Sequence, residues 1–245
     1  MRIALFSIFN PYDDLILSFS EKADGSCRLR PTGRPKLDAI IKKNRERYLS
    51  KLGLDATRLV SASLVHENVA YLAEEKDAGN IITGVDALTT RTKNLFLSIT
   101  VADCLPIFLY DRVGHCIGLV HAGWRGLTTN VIGNTMQKMK YELKSTPENI
   151  IAGIGPGIGS CHFEAKADVL EKFKKIPHEV LRKTGGKTFL DLKAIARMQL
   201  ESSGIKAENI EMSRDCTYDM ADRYFSYRRD KPEFLETMLA IIGLK

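Results

Sequence analysis

His66, Cys104 and His121 stand in Val65-His66-Glu67-Asn68, Ala102-Asp103-Cys104-Leu105 and Val120-His121-Ala122-Gly123, and each of these stretches closes a run that reads as a β-strand. Two imidazoles and a thiolate suit Zn²⁺, and three protein ligands leave the fourth tetrahedral position to water or substrate, the arrangement of a catalytic rather than a structural site. An ion held in this way lowers the pKa of water or polarises a substrate atom. Spacing alone leaves two readings open, because the three residues are far apart in the chain and an isolated His at a strand end is more often a hydrogen-bonded structural residue. Cys116 and Cys161 read as buried small hydrophobes or neighbours of the site.

The stretch His121-Ala122-Gly123-Trp124-Arg125-Gly126 follows the apolar run Cys116-Ile117-Gly118-Leu119-Val120 directly and contains the only Trp. Trp124 reads as a plug at a strand-to-helix junction, with Gly123 and Gly126 letting the backbone turn around it. Arg125 either binds an anion bidentately, caps a carbonyl or pairs with Asp103. A helix is expected from Leu127, with its N-terminal amides facing an anion. Gly153, Gly155, Gly157 and Gly159 alternate singly, fail the G-x-G-x-x-G pattern and are interrupted by Pro156, so they read as a tight turn needing positive φ, not a dinucleotide loop. The H-x-E and P-C-x-x-C signature of nucleobase deaminases is missing.

The elements that must position these residues follow from apolar patterning. Residues 94–101, 107–110, 115–120 and 149–154 read as strands, several of them buried on both faces. Residues 37–52, 127–144, 164–175 and 191–203 read as helices, the last with Asp191 as N-cap and Gly204 as its stop. Strands and helices alternate irregularly, which predicts an α+β fold: a single-domain layered α/β sandwich over residues 1–245, with mixed sheets covered by helices. No internal repeat or linker interrupts it.

Composition narrows the class. The chain is 44% hydrophobic and 27% charged, ordinary for a globular protein, and its net charge of +6 is dispersed among acidic residues. Lys42-Lys43, Lys174-Lys175 and Arg228-Arg229 read as solvated surface, so no nucleic-acid arm is expected. The apolar block Ile3-Ala4-Leu5-Phe6 is too short for a secretory segment, and no run approaches a membrane span. Five Cys without C-x-x-C pairs argue against a disulfide framework and point to a reducing cytoplasm.

Taken together, Val65-His66, Thr83-Gly84-Val85-Asp86-Ala87-Leu88-Thr89-Thr90, Thr100-Val101-Ala102-Asp103-Cys104-Leu105-Pro106, His121-Ala122-Gly123-Trp124-Arg125-Gly126, Ile154-Gly155-Pro156-Gly157-Ile158-Gly159 and Phe225-Ser226-Tyr227-Arg228-Arg229-Asp230 resemble the YfiH-like, or laccase-domain, family of polyphenol oxidase-type proteins. The resemblance covers most of the chain in the expected order. It implies a zinc held by His66, Cys104 and His121, and phosphorolysis of purine nucleosides such as adenosine, inosine or methylthioadenosine, with adenosine deamination as a companion. Older family labels say laccase, and bacterial members are also linked to editing of peptidoglycan precursors. Leu64 departs from the Gln that family members often carry, and residues 18–34 follow the pattern loosely. Arg45, in Lys43-Asn44-Arg45, falls where the family has an Asn-Arg pair and is a candidate phosphate anchor.

A multicopper oxidase needs a His₂Cys centre plus a trinuclear cluster rich in H-x-H pairs, and five His without such a pair do not supply it, although one His₂Cys site can take up Cu²⁺ in vitro. Phosphorolysis needs an anion site beside C1′, for which Arg45 and Arg125 are the candidates. Deamination needs zinc-activated water and a carboxylate to shuttle the proton, for which Asp103 is nearest in sequence. Two other classes stay open: a Cys-His hydrolase with Cys104 as nucleophile and His121 as base, and a non-enzymatic zinc-stabilised binding protein.

Overall fold

The computed structural model describes residues 6–174 and 177–245. Ile3 to Leu5 of the N-terminal apolar block and Lys175 lie outside these residues. Its strands form two mixed sheets and a hairpin. The first sheet has the order β1 (Leu15–Phe19), β13 (Met238–Leu244), β6 (Phe96–Val101), β2 (Leu59–Ser63), β4 (Ile81–Thr83). The second has the order β12 (Ile210–Met212), β9 (Ile150–Ile154), β7 (Leu105–Asp111), β8 (Cys116–Ala122), β5 (Ala87–Thr90), β3 (Ala70–Leu72). Strands β10 (Leu181–Thr184) and β11 (Lys187–Leu190) form the hairpin, and β11 also bridges Glu164 through Phe189.

The layers follow from residue alternation on strands buried on both faces. On β7, Phe108 and Tyr110 face β6 residues Leu97 and Ile99 in the core between the sheets, while Leu105, Ile107 and Leu109 face outward. That outer face is covered by α3 (Val131–Glu142) through Val131, Ile132, Met136 and Met139, and by α5 (Leu192–Ser202) through Ile195 and Leu200. Helix α1 (Pro35–Leu52) lays Tyr48 and Leu49 over Leu59, Phe96 and Ile241 on the far face of the first sheet. The order is thus helix, sheet, sheet, helices, the layered α+β arrangement that the patterning predicts.

Several boundaries differ from the sequence expectation for physical reasons. The helix after His121 begins at Trp124, since Gly123 takes the N-cap place with extended backbone, and α2 (Trp124–Thr128) ends before α3 begins. Asn130 sits between them in the left-handed region at φ 61° and accepts from the Gly133 amide, so it breaks one helix and caps the next. The helix expected over 164–175 contracts to α4 (Ala167–Lys172). Asp191 caps α5 through the Ala194 amide, and Gly204 follows at φ 97°, as the sequence indicates.

Gly153, Gly155, Gly157 and Gly159 correct an expectation of a different kind, because their backbone is not in the positive-φ region. They are glycines because neighbours approach too closely for a Cβ. A Cβ on Gly153 meets Phe6 Cε2 at 2.6 Å and Phe9 Cε2 at 2.8 Å, and one on Gly155 meets Pro106 Cγ at 2.7 Å. Gly153→Ala is therefore expected to cost about 1–3 kcal/mol, the usual range for overpacking, because both rings are buried and cannot swing away. A urea midpoint equal to that of the wild type would contradict this.

Candidate metal centre

The chain leaves the first sheet at Val101 and enters the second at Leu105, so Ala102, Asp103 and Cys104 bridge the two layers. Cys104 is thereby delivered beside His121, which lies near the end of β8, and beside His66, in the loop after β2. Their ligand atoms all lie within 4.8 Å of one another. The His66 and His121 rings meet edge to face, with centroids 4.8 Å apart at 86°. His66 itself, at φ 63°, and Asp103, which precedes Cys104, at φ 85°, adopt left-handed backbone that side chains rarely take. A Cβ on Gly123 would come within 2.8 Å of Cys104 Sγ, so this glycine makes room for the sulfur.

One carboxylate aligns both histidines. Asp86, fully buried, accepts from the His66 amide at 2.9 Å and the Glu67 amide at 2.7 Å, and its Oδ1 lies 2.9 Å from His121 Nδ1. With the proton on Nδ1 donated to Asp86, Nε2 of His121 is left free as a ligand atom, the carboxylate-histidine arrangement that fixes tautomer and orientation in metal sites. Burial raises the carboxyl of Asp86, but the His121 ring and the two amides outweigh it and hold the group below its ordinary value. Sequence reading missed Asp86 as a site residue. The available signal was an acidic residue at the entry of a buried strand.

The electrostatics pair a thiolate with a protonated ring, so a metal ion enters by displacing the His121 proton. Burial pushes the Cys104 thiol up, yet the adjacent His121 and His66 rings overcome this and bring it down to about 6. Burial likewise depresses His121, but the Cys104 sulfur and the Asp86 carboxylate raise it to about 9. A ready thiolate with two imidazoles is a borderline-soft donor set, which fits a first-row divalent ion with an open coordination position.

His66, Cys104 and His121 open into a cavity of about 230 Å³, which Arg28 and Arg30 also line. Arg28 donates through Nε to the Arg30 carbonyl and through Nη1 to the Leu235 carbonyl, and Arg30 donates through Nη2 to the Leu64 carbonyl. These arginines were not singled out from sequence, since their loop has no periodicity to mark it.

The remaining sequence candidates are placed elsewhere. Arg45 caps the Arg28 carbonyl through Nη1 and does not line the cavity, so it buttresses the loop behind it. Arg125 is exposed, stacks on Trp124 at 4.3 Å and is not paired with Asp103. Trp124 packs against the core under the second sheet. Asp103 turns its carboxylate away from the cavity, accepting from Thr217 Oγ1 and from the Arg228 amide, each at 2.7 Å. Cys116 is buried as expected, whereas Cys161 is exposed, a correction taken up below.

A layered α/β protein with a His₂Cys centre in a cavity carrying cationic side chains is a narrow class. The family described as multi-copper polyphenol oxidoreductase laccase matches residues 36–245, and the chain belongs to that family. It is similar to the purine nucleoside phosphorylase YlmD of Bacillus subtilis, at 32% identity over 85% of this chain and 78% of that protein. A purine nucleoside phosphorylase of Bacteroides thetaiotaomicron is 37% identical over 65% of this chain, which spans only 62% of that relative's length. The crystal structure of the YfiH protein of Bacillus licheniformis superposes with a TM-score of 0.89 at 27% identity, covering 96% of this chain and 94% of that one. No helix among the described residues is long and apolar enough to cross a membrane.

Proposed function

We propose that this chain is a Zn²⁺-dependent purine nucleoside phosphorylase, working as one domain in a reducing cytoplasm. The observation that carries the reading is the lining of the cavity, where His66, Cys104 and His121 share a wall with Arg28 and Arg30 and no carboxylate is present among the described lining residues. The names of the relatives support the same activity. When bound by His66, Cys104 and His121, Zn²⁺ supplies Lewis acidity for a substrate oxygen. Arg28 and Arg30 hold the phosphate, their guanidinium groups matching its oxygens and favouring attack at C1′. The bond from phosphate oxygen to C1′ forms as the bond from C1′ to the purine nitrogen breaks, and the electron pair leaves with the base, which takes up a proton.

The lining favours this over deamination, which needs a proton-shuttling carboxylate that Asp103 does not present to the cavity. It also argues against a multicopper oxidase. The other three His are placed apart from the centre: His115 against the Tyr110 hydroxyl, His162 beside Asp219, and His178 on the turn before β10.

The test is incubation of metal-analysed protein with adenosine, with and without phosphate, followed by chromatography. Adenine and ribose 1-phosphate appearing only with phosphate is the expected result. Inosine formed without phosphate establishes deamination instead, and no product under either condition overturns the nucleoside reading. Arg28→Ala and Arg30→Ala should each raise KM for phosphate about 10–100-fold, the value of a charge-assisted contact, with a smaller change in KM for the nucleoside. Arg125→Ala is expected to leave both constants near wild type.

A further inference from the structure

A second group of metal-ligating side chains lies outside the cavity. The ligand atoms of Cys161, His162, Cys216 and Asp219 lie within 4.8 Å of one another. Cys161 Sγ is 3.5 Å from Cys216 Sγ and 3.2 Å from Asp219 Oδ2, and His162 Nδ1 is 3.1 Å from Asp219 Oδ1. We propose that these residues form a second, structural metal site that takes a thiophilic divalent cation, Zn²⁺ by its donor set, and ties the loop after β9 to the loop after β12.

Three edges of this four-ligand set are those of a slightly contracted tetrahedral shell, and all of its ligand atoms lie within 4.8 Å of one another. Zinc bonds of about 2.3 Å to sulfur and about 2.0–2.2 Å to nitrogen and oxygen give tetrahedral edges of roughly 3.3–3.8 Å. The observed separations of 3.5, 3.2 and 3.1 Å fall a few tenths of an ångström short, so along these three edges a central ion needs only a small outward relaxation.

Two of the four donors are set in place before any ion binds, while burial and the Asp219 carboxylate push the Cys161 thiol up to about 12, so an ion must displace its proton. The His162 ring is stacked on Tyr218 at 4.0 Å and 11°, which fixes its plane, and its Nδ1 is shielded from solvent without a hydrogen bond, despite the nearby carboxylate. The Gly159 amide donates to Cys216 Sγ at 3.2 Å. A Cβ on Gly159 would lie 2.9 Å from Cys161 Sγ, so the backbone passes close to the sulfurs. Charge also balances. Two thiolates and a carboxylate around a dication leave one negative charge, and the buried ammonium of Lys193, held by the Ser213 and Asp215 carbonyls, interacts with Cys216 and offsets it.

The position gives the site a task. Thr217 follows Cys216, donates through its hydroxyl to Asp103 Oδ1 and through its amide to the Gly157 carbonyl, while the Ile158 amide donates to the Asp103 carbonyl. Both loops that the second ion joins therefore grip Asp103, whose neighbour Cys104 belongs to the first centre. The second site braces the backbone that aims that sulfur.

Zinc content of the full chain, reconstituted with Zn²⁺ under reducing conditions and freed of loosely held metal, tests this directly. The wild type should retain two ions per chain, His66→Ala one, Cys161→Ser/Asp219→Asn one, and the combined variant none. Cys161 and Asp219 are chosen because both are exposed, so the substitutions spare the interior. In the His66→Ala background, Zn²⁺ at about 100 times its Kd should raise Tm by roughly 5–10 °C, and the added Cys161→Ser/Asp219→Asn change should abolish the rise. Equal zinc content in wild type and Cys161→Ser/Asp219→Asn overturns the proposal, as does a Cys161–Cys216 disulfide in protein isolated without oxygen. Because metal content is read without any nucleoside, failure of the phosphorylase reading leaves this result independent.

Discussion

Cys104→Ala is expected to lose bound metal from the first centre and to lower kcat/KM for phosphorolysis by about 10³-fold or more, while the protein stays folded. The size follows from what is removed. A Lewis acid contributes several kcal/mol of charge stabilisation in the transition state, and about 4 kcal/mol corresponds to roughly 10³ in rate. Cys104 is the only thiolate of the His66, Cys104, His121 set, and two imidazoles alone are a poor zinc site. Folding should survive because Cys104 is only partly buried and packs at the edge of the core between the sheets. Kinetics, metal analysis and thermal melting on one sample separate the competing readings. A chain that unfolds is a zinc-stabilised binding protein, in which metal binding is folding energy. Lost activity with metal retained makes Cys104 a nucleophile, since a sulfur committed to zinc is not free to attack carbon. His121→Ala is expected to match Cys104→Ala in both activity and metal loss.

How much of this was legible in the chain depended on the range of the interaction involved. Strands β6, β7, β8 and β9 are continuous apolar runs because both faces of each are covered, and that signal is local. The cap of α5 was equally local, since Asp191 and Gly204 act on backbone groups within a few residues. The start of α2 was not, because Gly123 offers no side chain to mark an N-cap. The alternating glycines suggested positive φ, but the reason for them is the rings of Phe6 and Phe9 and the ring of Pro106, contacts that only the folded layers create. The family resemblance supplied the grouping of His66, Cys104 and His121. Spacing by itself did not, because the grouping depends on the chain changing sheets between Val101 and Leu105. Arg28, Arg30 and the four-residue cluster around Cys161 had no periodic or motif signature, and they emerge only when distant loops are brought side by side.

Asp86→Asn should weaken metal binding about 10–100-fold, the usual effect of removing a carboxylate that supports a ligating histidine. The change is nearly isosteric, so the buried volume is kept, but an amide presents one acceptor where the carboxylate presented two. If Oδ1 continues to serve His66 and His121, the NH₂ group faces the Glu67 amide, donor against donor, and the His66 loop loses its second tether. The loss should grow with pH, and the direction follows from His121. In the wild type His121 is raised to about 9, so near pH 7 a metal ion must displace its proton, and affinity climbs as pH rises through 9. Removing the Asp86 charge lowers the pKa of His121, which reduces this proton competition in the variant and partly masks the weaker ligand near neutral pH. Above about pH 9 neither protein carries the proton, and the full difference is exposed. Chelator competition at neutral and alkaline pH measures both values. A loss that is the same at both, or larger at neutral pH, would show that Asp86 acts by shape alone and that its charge does not tune His121.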